Sequence, residues 1–295
     1  MLAERTAPRP TLRDAYAHCR RVALGRHENF PVASWFLPKQ LRPHLYAIYA
    51  YCRGVDDLGD EAEGDRLALL DEWAEELKGA YLGGATDPRF VALAHTIRQF
   101  NIPPDPFDRL IEANRRDQRV NRYETFADLL DYCSYSANPA GHLVLYVFGY
   151  RDSERQALSD FTCTALQLAN FWQDVSVDAQ KGRIYIPRED MEAFGVTETD
   201  IFARRSTRSF QRLMEFQVQR TRDYFRRGLP LIDSVSGHLR VDLRAFTLGG
   251  LGALNAIERG RFDVLSGRVG LSRLDRAAIL PRALSPLRLN AGGQR

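Results

Sequence analysis

Apolar residues recur at helical spacing through most of the chain. One segment shows the pattern clearly, with apolar side chains three or four residues apart: Leu67, Leu70, Trp73, Ala74, Leu77 and Tyr81. No segment sustains the alternation of apolar and polar residues that marks a half-buried strand. The pattern therefore predicts an all-α fold.

Glycine and proline residues separate the periodic segments. They stand at Gly83-Gly84, Pro103-Pro104, Asn138-Pro139, Gly149, Gly182, Pro187, Gly195 and Pro230. Such residues end helices or redirect the chain, so about eight to ten helices are predicted. No compositional break divides the 295 residues. We expect a single domain over residues 11–280, a disordered N-terminus over 1–10 and a flexible C-terminal tail over 281–295.

Composition narrows the class of protein. The chain is 44% hydrophobic and 27% charged, which is typical of a globular protein with a sizeable core. Its 41 basic and 38 acidic residues give a net charge of +3, too balanced to indicate a nucleic-acid partner. The longest strongly apolar run, Leu143 to Phe148, is too short to cross a bilayer. We therefore expect a cytoplasmic protein whose membrane contact is peripheral, on the inner face of the cytoplasmic membrane.

The cysteines argue against two other classes. Cys19, Cys52, Cys133 and Cys163 are widely spaced, with no C-x-x-C pair and no clustered histidines nearby. This spacing is atypical of a zinc site or a disulfide framework, and it fits a reducing compartment.

The first candidate for chemistry is an acidic helix end. At roughly 100° per residue, Tyr49, Arg53, Asp56 and Asp60 share one helix face, whereas Asp57 lies to the side. Carboxylates one turn apart repel each other unless a cation lies between them, and Mg²⁺ prefers carboxylate oxygens. Asp56 and Asp60 therefore rank above Asp57 as metal ligands. Alone, this run is almost equally well explained as a solvent-facing helix end.

A second acidic run makes the metal interpretation more specific. Gln167, Asn170, Asp174 and Asp178 share one face of an otherwise apolar segment. In a protein core each of these side chains would need a buried polar partner, which a metal and a phosphate group would supply. The cations Arg53, Lys181 and Arg183 are close enough in sequence to these runs to neutralise a diphosphate. A helical scaffold that binds calcium or a protein partner remains the alternative.

The two runs and their surroundings resemble the head-to-head isoprenoid synthases, which comprise squalene, phytoene and dehydrosqualene synthases. The resemblance extends from about Arg26 to beyond Tyr185. The matching motifs are Phe36-Leu37-Pro38, Tyr49-x-x-x-Arg53-x-x-Asp56-Asp57-x-x-Asp60, Tyr132-Cys133 with Gly141, Gln167-x-x-Asn170-x-x-x-Asp174-x-x-x-Asp178 and Arg183-Ile184-Tyr185.

The resemblance implies an all-α isoprenoid-synthase helical bundle with a central cavity, in which Mg²⁺ ions bridge both Asp motifs to an isoprenoid diphosphate. It assigns the metal-ligand and catalytic role to Asp56, Asp60, Asp174 and Asp178, with Asn170 as a further metal ligand. Diphosphate contacts are assigned to Arg53, Lys181, Arg183 and Tyr185. The cavity would be lined by Tyr49, Tyr132, Asn138 and Gln167. Ring faces stabilise carbocations, but for Phe171 and Trp172, which lie off the acidic stripe, we favour core packing.

Two departures point to one branch of this family. Glu28-Asn29-Phe30-Pro31 replaces a hydroxyl-bearing His/Ser-x-Ser-Phe segment, and Ser136-Ala137-Asn138-Pro139 replaces a small apolar segment. Both are similar to the hydroxysqualene synthases of bacterial hopanoid pathways, which convert presqualene diphosphate to hydroxysqualene. Water would then capture the final cation, with Asn138 as a candidate to orient it; a plain Asn-Pro turn explains Asn138 equally well. The alternative is a synthase that joins two prenyl diphosphates.

We do not expect NADPH as a cofactor. Gly249-Gly250-Leu251-Gly252 lies on an apolar helical stretch without a preceding strand, unlike a dinucleotide-binding fingerprint. Because the isoprenoid end of the substrate is insoluble in water, we expect loose membrane association and association with sister isoprenoid enzymes.

Overall fold

The computed structural model describes residues 10–25 and 37–284. These residues form fourteen helices and no strand. In chain order they are α1 (Leu12–Leu24), α2 (Arg42–Asp60), α3 (Arg66–Leu82), α4 (Pro88–Phe100), α5 (Asp105–Asp117), α6 (Phe126–Ser136), α7 (Asn138–Val147), α8 (Ser153–Gln180), α9 (Arg188–Phe194), α10 (Glu198–Phe202), α11 (Arg208–Gly228), α12 (Pro230–Ser234), α13 (Gly237–Arg259) and α14 (Arg273–Leu284). The all-α prediction is confirmed, and the predicted number of helices was too low.

Most of the undercount comes from three short helices. Helices α9, α10 and α12 contain five to seven residues, so each is too short to show a helical period in the sequence. The predicted breaks themselves are correct. Gly83 and Gly195 cap helix ends in the left-handed conformation, and Pro230 is the first residue of α12.

The described residues divide into two compact units. The first unit lies within Met1–Arg119 and Pro139–Asp152, and the second within Val120–Asn138 and Ser153–Arg295. The single domain predicted over 11–280 stays a prediction.

The first unit packs α2 against α1, α3, α4 and α5. Its core is rich in aromatic rings: Tyr51 contacts the rings of Trp73, Phe90 and Phe107 at centroid distances of 5.0 to 5.9 Å. The Tyr51 hydroxyl donates to the Phe107 carbonyl at 3.0 Å. Since buried rings stabilise by area and by edge contacts, this cluster fixes α2, the helix that carries the first Asp motif.

The second unit is built around α8, which packs against α11 and α13. Trp172 is fully buried on α8, and its Nε1 donates to the Thr221 hydroxyl of α11 at 2.8 Å. Phe210, Leu213 and Met214 of α11 are also fully buried. The core-packing interpretation of Trp172 is therefore confirmed, and α8 is held rigidly along the face opposite its acidic stripe.

Three features of the sequence can be checked directly. No helix among the described residues is long and apolar enough to cross a membrane. All four cysteines are free thiols. Gly249 to Gly252 lies inside α13, as the apolar pattern predicted. The Glu28-Asn29-Phe30-Pro31 segment, Phe36 and most of both predicted terminal segments lie outside the described residues.

Candidate active site

The first Asp motif lies at the C-terminal end of α2. Asp56 and Asp60 are exposed and Arg53 is half-buried, whereas Val55 and Gly59 between them are buried. The two carboxylates of the predicted common face are therefore accessible to solvent. They lie one turn apart, the spacing on which the metal prediction was based.

Helix α5 approaches this motif closely. Gly59 makes the approach feasible, because a Cβ atom there would overlap the Asn114 carboxamide. Asn114 Nδ2 donates to Asp56 Oδ1 at 3.3 Å and to the Leu110 carbonyl at 3.1 Å. Gln118 Nε2 donates to the Gly59 carbonyl at 3.0 Å. The neighbour that holds Asp56 is thus a neutral amide.

Electrostatics at Asp56 favour a bound cation. The side chain keeps an accessible edge, yet protein atoms crowd the carboxylate, and this desolvation raises the pKa of Asp56 to about 7. Asn114 and Arg53 lower this pKa, while the carboxylates of Asp60 and Asp117 raise it. Asp117, at the end of α5, is a third carboxylate that the sequence did not single out, because its partner helix was unknown.

Arg53 has two acidic partners. Its Nη2 lies 2.5 Å from Asp57 Oδ1 and 2.7 Å from Glu61 Oε1. Asp57 lies beside the motif and its carboxylate pairs with the Arg53 guanidinium. Tyr49, one turn earlier, is half-buried and packs against the cluster that contains Ala15, Cys19 and Tyr46. The diphosphate role of Arg53 and the cavity role of Tyr49 stay predictions.

The second Asp motif lies in the C-terminal half of α8. Gln167, Asn170, Asp174 and Asp178 are all half-buried, while the other faces of the helix carry buried residues such as Trp172. The predicted stripe is thus real. Its polar side chains are neither in the core nor fully solvated.

Asp174 is held by a cation. Arg268, in the segment between α13 and α14, places Nε 2.5 Å from Asp174 Oδ1 and donates from Nη2 to Oδ2 at 3.0 Å. Gln173 Nε2 anchors the same segment by donating to the Val269 carbonyl at 2.7 Å. Desolvation raises the pKa of Asp174, and the charges of Arg268 and Lys181 lower it. Sequence reasoning missed Arg268 because 94 residues separate it from Asp174.

The turn after α8 brings the predicted cations to the motif. Lys181 and Arg183 both donate backbone N–H bonds to the Asp178 carbonyl at 2.9 Å. Asp178, Arg183 and Tyr185 line one small cavity. Lys181 is close enough to lower the pKa of Asp174. The structure therefore brings together the residues that were predicted to bind metal and diphosphate on this side.

An aromatic cluster adjoins that turn. Tyr185 stacks on Phe171 with ring centroids 3.9 Å apart and lies within 6.0 Å of Tyr123 and Tyr132. Tyr132 also lies 6.3 Å from Phe171. Phe171, for which core packing was favoured, is buried as expected, but it is buried against the rings that include the predicted site residues. Tyr123 is a member that sequence reasoning missed.

Asn138 occupies the first position of α7 and is buried. Thr164, also buried on α8, donates from Oγ1 to Asn138 Oδ1 at 3.0 Å. The carboxamide oxygen therefore accepts a hydrogen bond from Thr164, and Nδ2 is the atom that would donate a hydrogen bond to a ligand. The role of Asn138 in orienting water stays a prediction.

The donor chemistry fits Mg²⁺. Among the described residues, no group of three or more Asp, Glu, His or Cys side chains is placed to hold a metal by itself. Each half-site instead offers a pair of carboxylates: Asp56 with Asp60, and Asp174 with Asp178. Mg²⁺ commonly binds through one or two carboxylates and completes its shell with water and substrate phosphates. Asn170 would add an amide oxygen beside the second pair.

Comparisons with known proteins identify the family of the chain. A model of the squalene/phytoene synthase family matches residues 23–275. The 15-cis-phytoene synthase of Synechococcus elongatus is 31% identical over 288 residues, covering 93% of this chain and 94% of that protein. The phytoene synthase of Arthrospira platensis is 30% identical, covering 92% and 93%.

Solved structures show the same fold. The squalene synthase HpnC from Alicyclobacillus acidocaldarius is 52% identical with a TM-score of 0.83, covering 85% of this chain and 96% of that one. A dehydrosqualene synthase in complex with ligand is 25% identical with a TM-score of 0.85, covering 92% and 96%. The isoprenoid-synthase fold is thereby confirmed, and the chain belongs to the squalene/phytoene synthase family.

Proposed function

We propose that this enzyme converts presqualene diphosphate to hydroxysqualene and diphosphate in squalene and hopanoid biosynthesis. The observation that carries the proposal is Asn138, a buried amide in a segment where the two-substrate synthases have small apolar residues, fixed by Thr164. The 52% identity to an enzyme described as a squalene synthase, against 31% to a phytoene synthase, supports a C30 product.

Ionisation would begin at the two carboxylate pairs. Asp56 with Asp60 and Asp174 with Asp178 would hold Mg²⁺, which when bound supplies Lewis-acid stabilisation of the charge on the departing diphosphate. Lys181 and Arg183 would place fixed positive charge at the same oxygens, and Arg53 would do so on the α2 side. Arg268 is a further cation at Asp174.

The aromatic rings would stabilise the carbocation that forms when the diphosphate departs. Departure of the diphosphate gives a cyclopropylcarbinyl cation, which rearranges before it is captured. The ring faces and edges of Tyr123, Tyr132, Phe171 and Tyr185 that are not covered by one another would offer π-electron density. A ring face stabilises a desolvated cation by about 2 kcal/mol.

Capture needs one water in an otherwise apolar setting. Because Asn138 Oδ1 already accepts from Thr164, its Nδ2 would donate to the water oxygen and orient it toward the cation. The water then forms the new carbon–oxygen bond and loses a proton, which the released diphosphate is basic enough to accept.

The rival is head-to-head condensation of two prenyl diphosphates to squalene, dehydrosqualene or phytoene. The described functions of the relatives, phytoene synthase and squalene synthase, favour it. Consumption of farnesyl diphosphate as the sole substrate would establish the rival.

The deciding experiment uses presqualene diphosphate, Mg²⁺ and oxygen-18 water, with and without NADPH. A labelled C30 alcohol formed without NADPH is the expected product, and mass analysis of the extract measures it. An unlabelled C30 hydrocarbon formed only with NADPH would refute the proposal.

Further parts of the proposal concern cofactors and location. We propose Mg²⁺ as the cofactor, no requirement for NADPH, peripheral contact with the inner face of the cytoplasmic membrane, and association with sister isoprenoid enzymes. Sedimentation with liposomes, before and after presqualene diphosphate is loaded into them, measures the membrane contact. A protein that stays in the supernatant in both cases would contradict it.

A further inference from the structure

The turn after α8 is fastened by a side chain that no motif singled out. Arg122 Nη1 donates to the Gly182 carbonyl at 2.6 Å and to the Asn121 carbonyl at 2.7 Å. We propose that Arg122, held by Glu198, is a positioning residue that sets the Lys181-Gly182-Arg183 turn for diphosphate binding. This inference rests on the proposed function, because it concerns the same turn.

The turn itself bonds back to the end of α8, and among the described residues the backbone bonds from this chain segment to residues 121–124 begin at Ile184. The backbone N–H groups of residues 184, 188 and 189 donate to the carbonyls of Asn121, Tyr123 and Glu124 at 2.9 to 3.1 Å. Gly182 lies upstream of them, with a φ of +75° that favours glycine. Its carbonyl is connected to the 121–124 segment through the Arg122 guanidinium. The backbone thus bonds to residues 121–124 from Ile184 onward, and the Arg122 side chain adds a bond from this segment to the turn at Gly182.

Arg122 is itself held in one geometry. Its Nε donates to Glu198 Oε1 at 2.8 Å and its Nη2 to Oε2 at 3.0 Å, which is the bidentate arrangement of a guanidinium and a carboxylate. The guanidinium also lies 5.8 Å from the Phe202 ring centroid. The hydrogen bonds from Arg122 lower the pKa of Glu198, so the Glu198 carboxylate stays ionised at neutral pH. Because Glu198 holds Nε and Nη2 of the guanidinium, Nη1 points at the Gly182 carbonyl in a fixed direction.

Displacement of this turn would move two cations relative to the second Asp motif. Lys181 is an electrostatic neighbour of Asp174, and Arg183 lines a cavity with Asp178. The contribution of Arg122 would therefore appear in diphosphate affinity even though Arg122 does not touch the ligand.

The test compares three variants with a matched control. Arg122→Ala removes the side chain that bonds to the Gly182 carbonyl. Arg122→Lys retains the positive charge without the planar guanidinium. Glu198→Gln retains Arg122 without its ionic partner. Arg188→Ala is the control. Arg188 lines a cavity of 330 Å³ together with Arg122 and Glu198. It pairs with Glu124 and Glu192 and does not bond to the turn. Calorimetry measures the affinity for inorganic diphosphate in the presence of Mg²⁺, and Tm is recorded for each protein.

We expect Arg122→Ala to weaken diphosphate binding about tenfold, Arg122→Lys and Glu198→Gln to weaken it less, and Arg188→Ala to leave it unchanged. With presqualene diphosphate, the Arg122 variants should raise KM more than they lower kcat. A folded Arg122→Lys or Glu198→Gln protein with wild-type diphosphate affinity, or an equal loss in Arg188→Ala, would overturn the inference and leave the proposed function intact. Absence of diphosphate binding by the wild-type protein would overturn both.

Discussion

Asp56 and Asp174 open matching motifs, yet different groups hold their carboxylates. Asp56 accepts a hydrogen bond from the neutral Asn114 amide; the charge of Arg53 lowers its pKa, and the carboxylates of Asp60 and Asp117 raise it. Asp174 is paired directly with the Arg268 guanidinium, and the Lys181 charge also lowers its pKa. The direct partner of the first carboxylate is therefore an amide, and that of the second is a cation.

Polar networks elsewhere in the two units give a second comparison. In the first unit, the Tyr16 hydroxyl lies 2.9 to 3.2 Å from His95 Nδ1, His44 Nδ1 and Thr96 Oγ1, a network of hydroxyl and imidazole groups. In the second unit, buried Asp190 pairs with Arg220. Imidazole networks are sensitive to protonation, while buried ion pairs are sensitive to loss of one partner.

Under the proposed function, this difference predicts how each carboxylate would respond to a ligand. At Asp56, a bound cation would relieve repulsion from the carboxylates of Asp60 and Asp117. At Asp174, a cation would compete with Arg268 for the carboxylate, and the released guanidinium would then be available to a phosphate oxygen.

The largest expected effect is loss of activity in Asp56→Asn and Asp174→Asn. Removal of a metal ligand removes several kcal/mol of transition-state stabilisation, so Mg²⁺-dependent release of diphosphate should fall on the order of a thousandfold. Asp57→Asn, whose carboxylate pairs with Arg53, is the control and should lose much less. Near-wild-type release by either motif variant would contradict the metal role and favour a non-catalytic scaffold.

Next in size is the stability of the second unit. Asp190→Ala leaves the Arg220 guanidinium without its carboxylate, between the rings of Phe126 and Phe216 at 3.6 and 4.7 Å. Loss of one partner of a buried pair should lower the free energy of unfolding by about 3 kcal/mol. Denaturant titration measures this. The exposed Arg188→Ala should change it by less than about 0.5 kcal/mol, and equal losses in both would refute the distinction.

A smaller effect is expected from acid in the first unit. Burial, with a minor contribution from the His95 charge, lowers the pKa of His44 to about 4. Between the ordinary pKa of about 6.5 and this lowered value, the unfolded chain is protonated at His44 and the folded chain is not. The free energy of unfolding therefore falls as the pH drops from about 6.5 toward 4. Between pH 7 and pH 5 the loss is at most about 2 kcal/mol. Unfolding titrations of wild type and His44→Gln at both pH values should show this component only in the wild type; an equal loss in both would contradict it.

The smallest effect concerns the hydrogen bond between Thr164 and Asn138 in the second unit. Thr164→Val removes the hydrogen bond to Asn138 and should cost about 1 kcal/mol in the free energy of unfolding. Under the proposed function it should also raise the hydrocarbon share of the C30 products, as Asn138→Ala should do more strongly. Product analysis by mass spectrometry measures the share. Identical alcohol-to-hydrocarbon ratios in all three proteins would remove Asn138 from the capture step.

Particular residues show where sequence reasoning succeeded. The placement of Asp56 with Asp60, and of Asp174 with Asp178, on one helix face was predicted because residues one turn apart in a helix share a face. The glycine and proline breaks were correct because they act on the local backbone. Asn114, Asp117, Arg122 and Arg268 were missed, since each reaches its partner from another helix or loop that local periodicity cannot place.

The sequence by itself determined the all-α class, the two acidic stripes and the family, because helical period and local motifs are properties of neighbouring residues. Only the tertiary structure decided that Asp56 faces a neutral amide, that Asp174 faces a guanidinium, and that Arg122 holds the Gly182 turn. Those contacts join residues between 58 and 94 positions apart. Such pairings depend on how helices pack, which the pattern of a single chain does not encode locally.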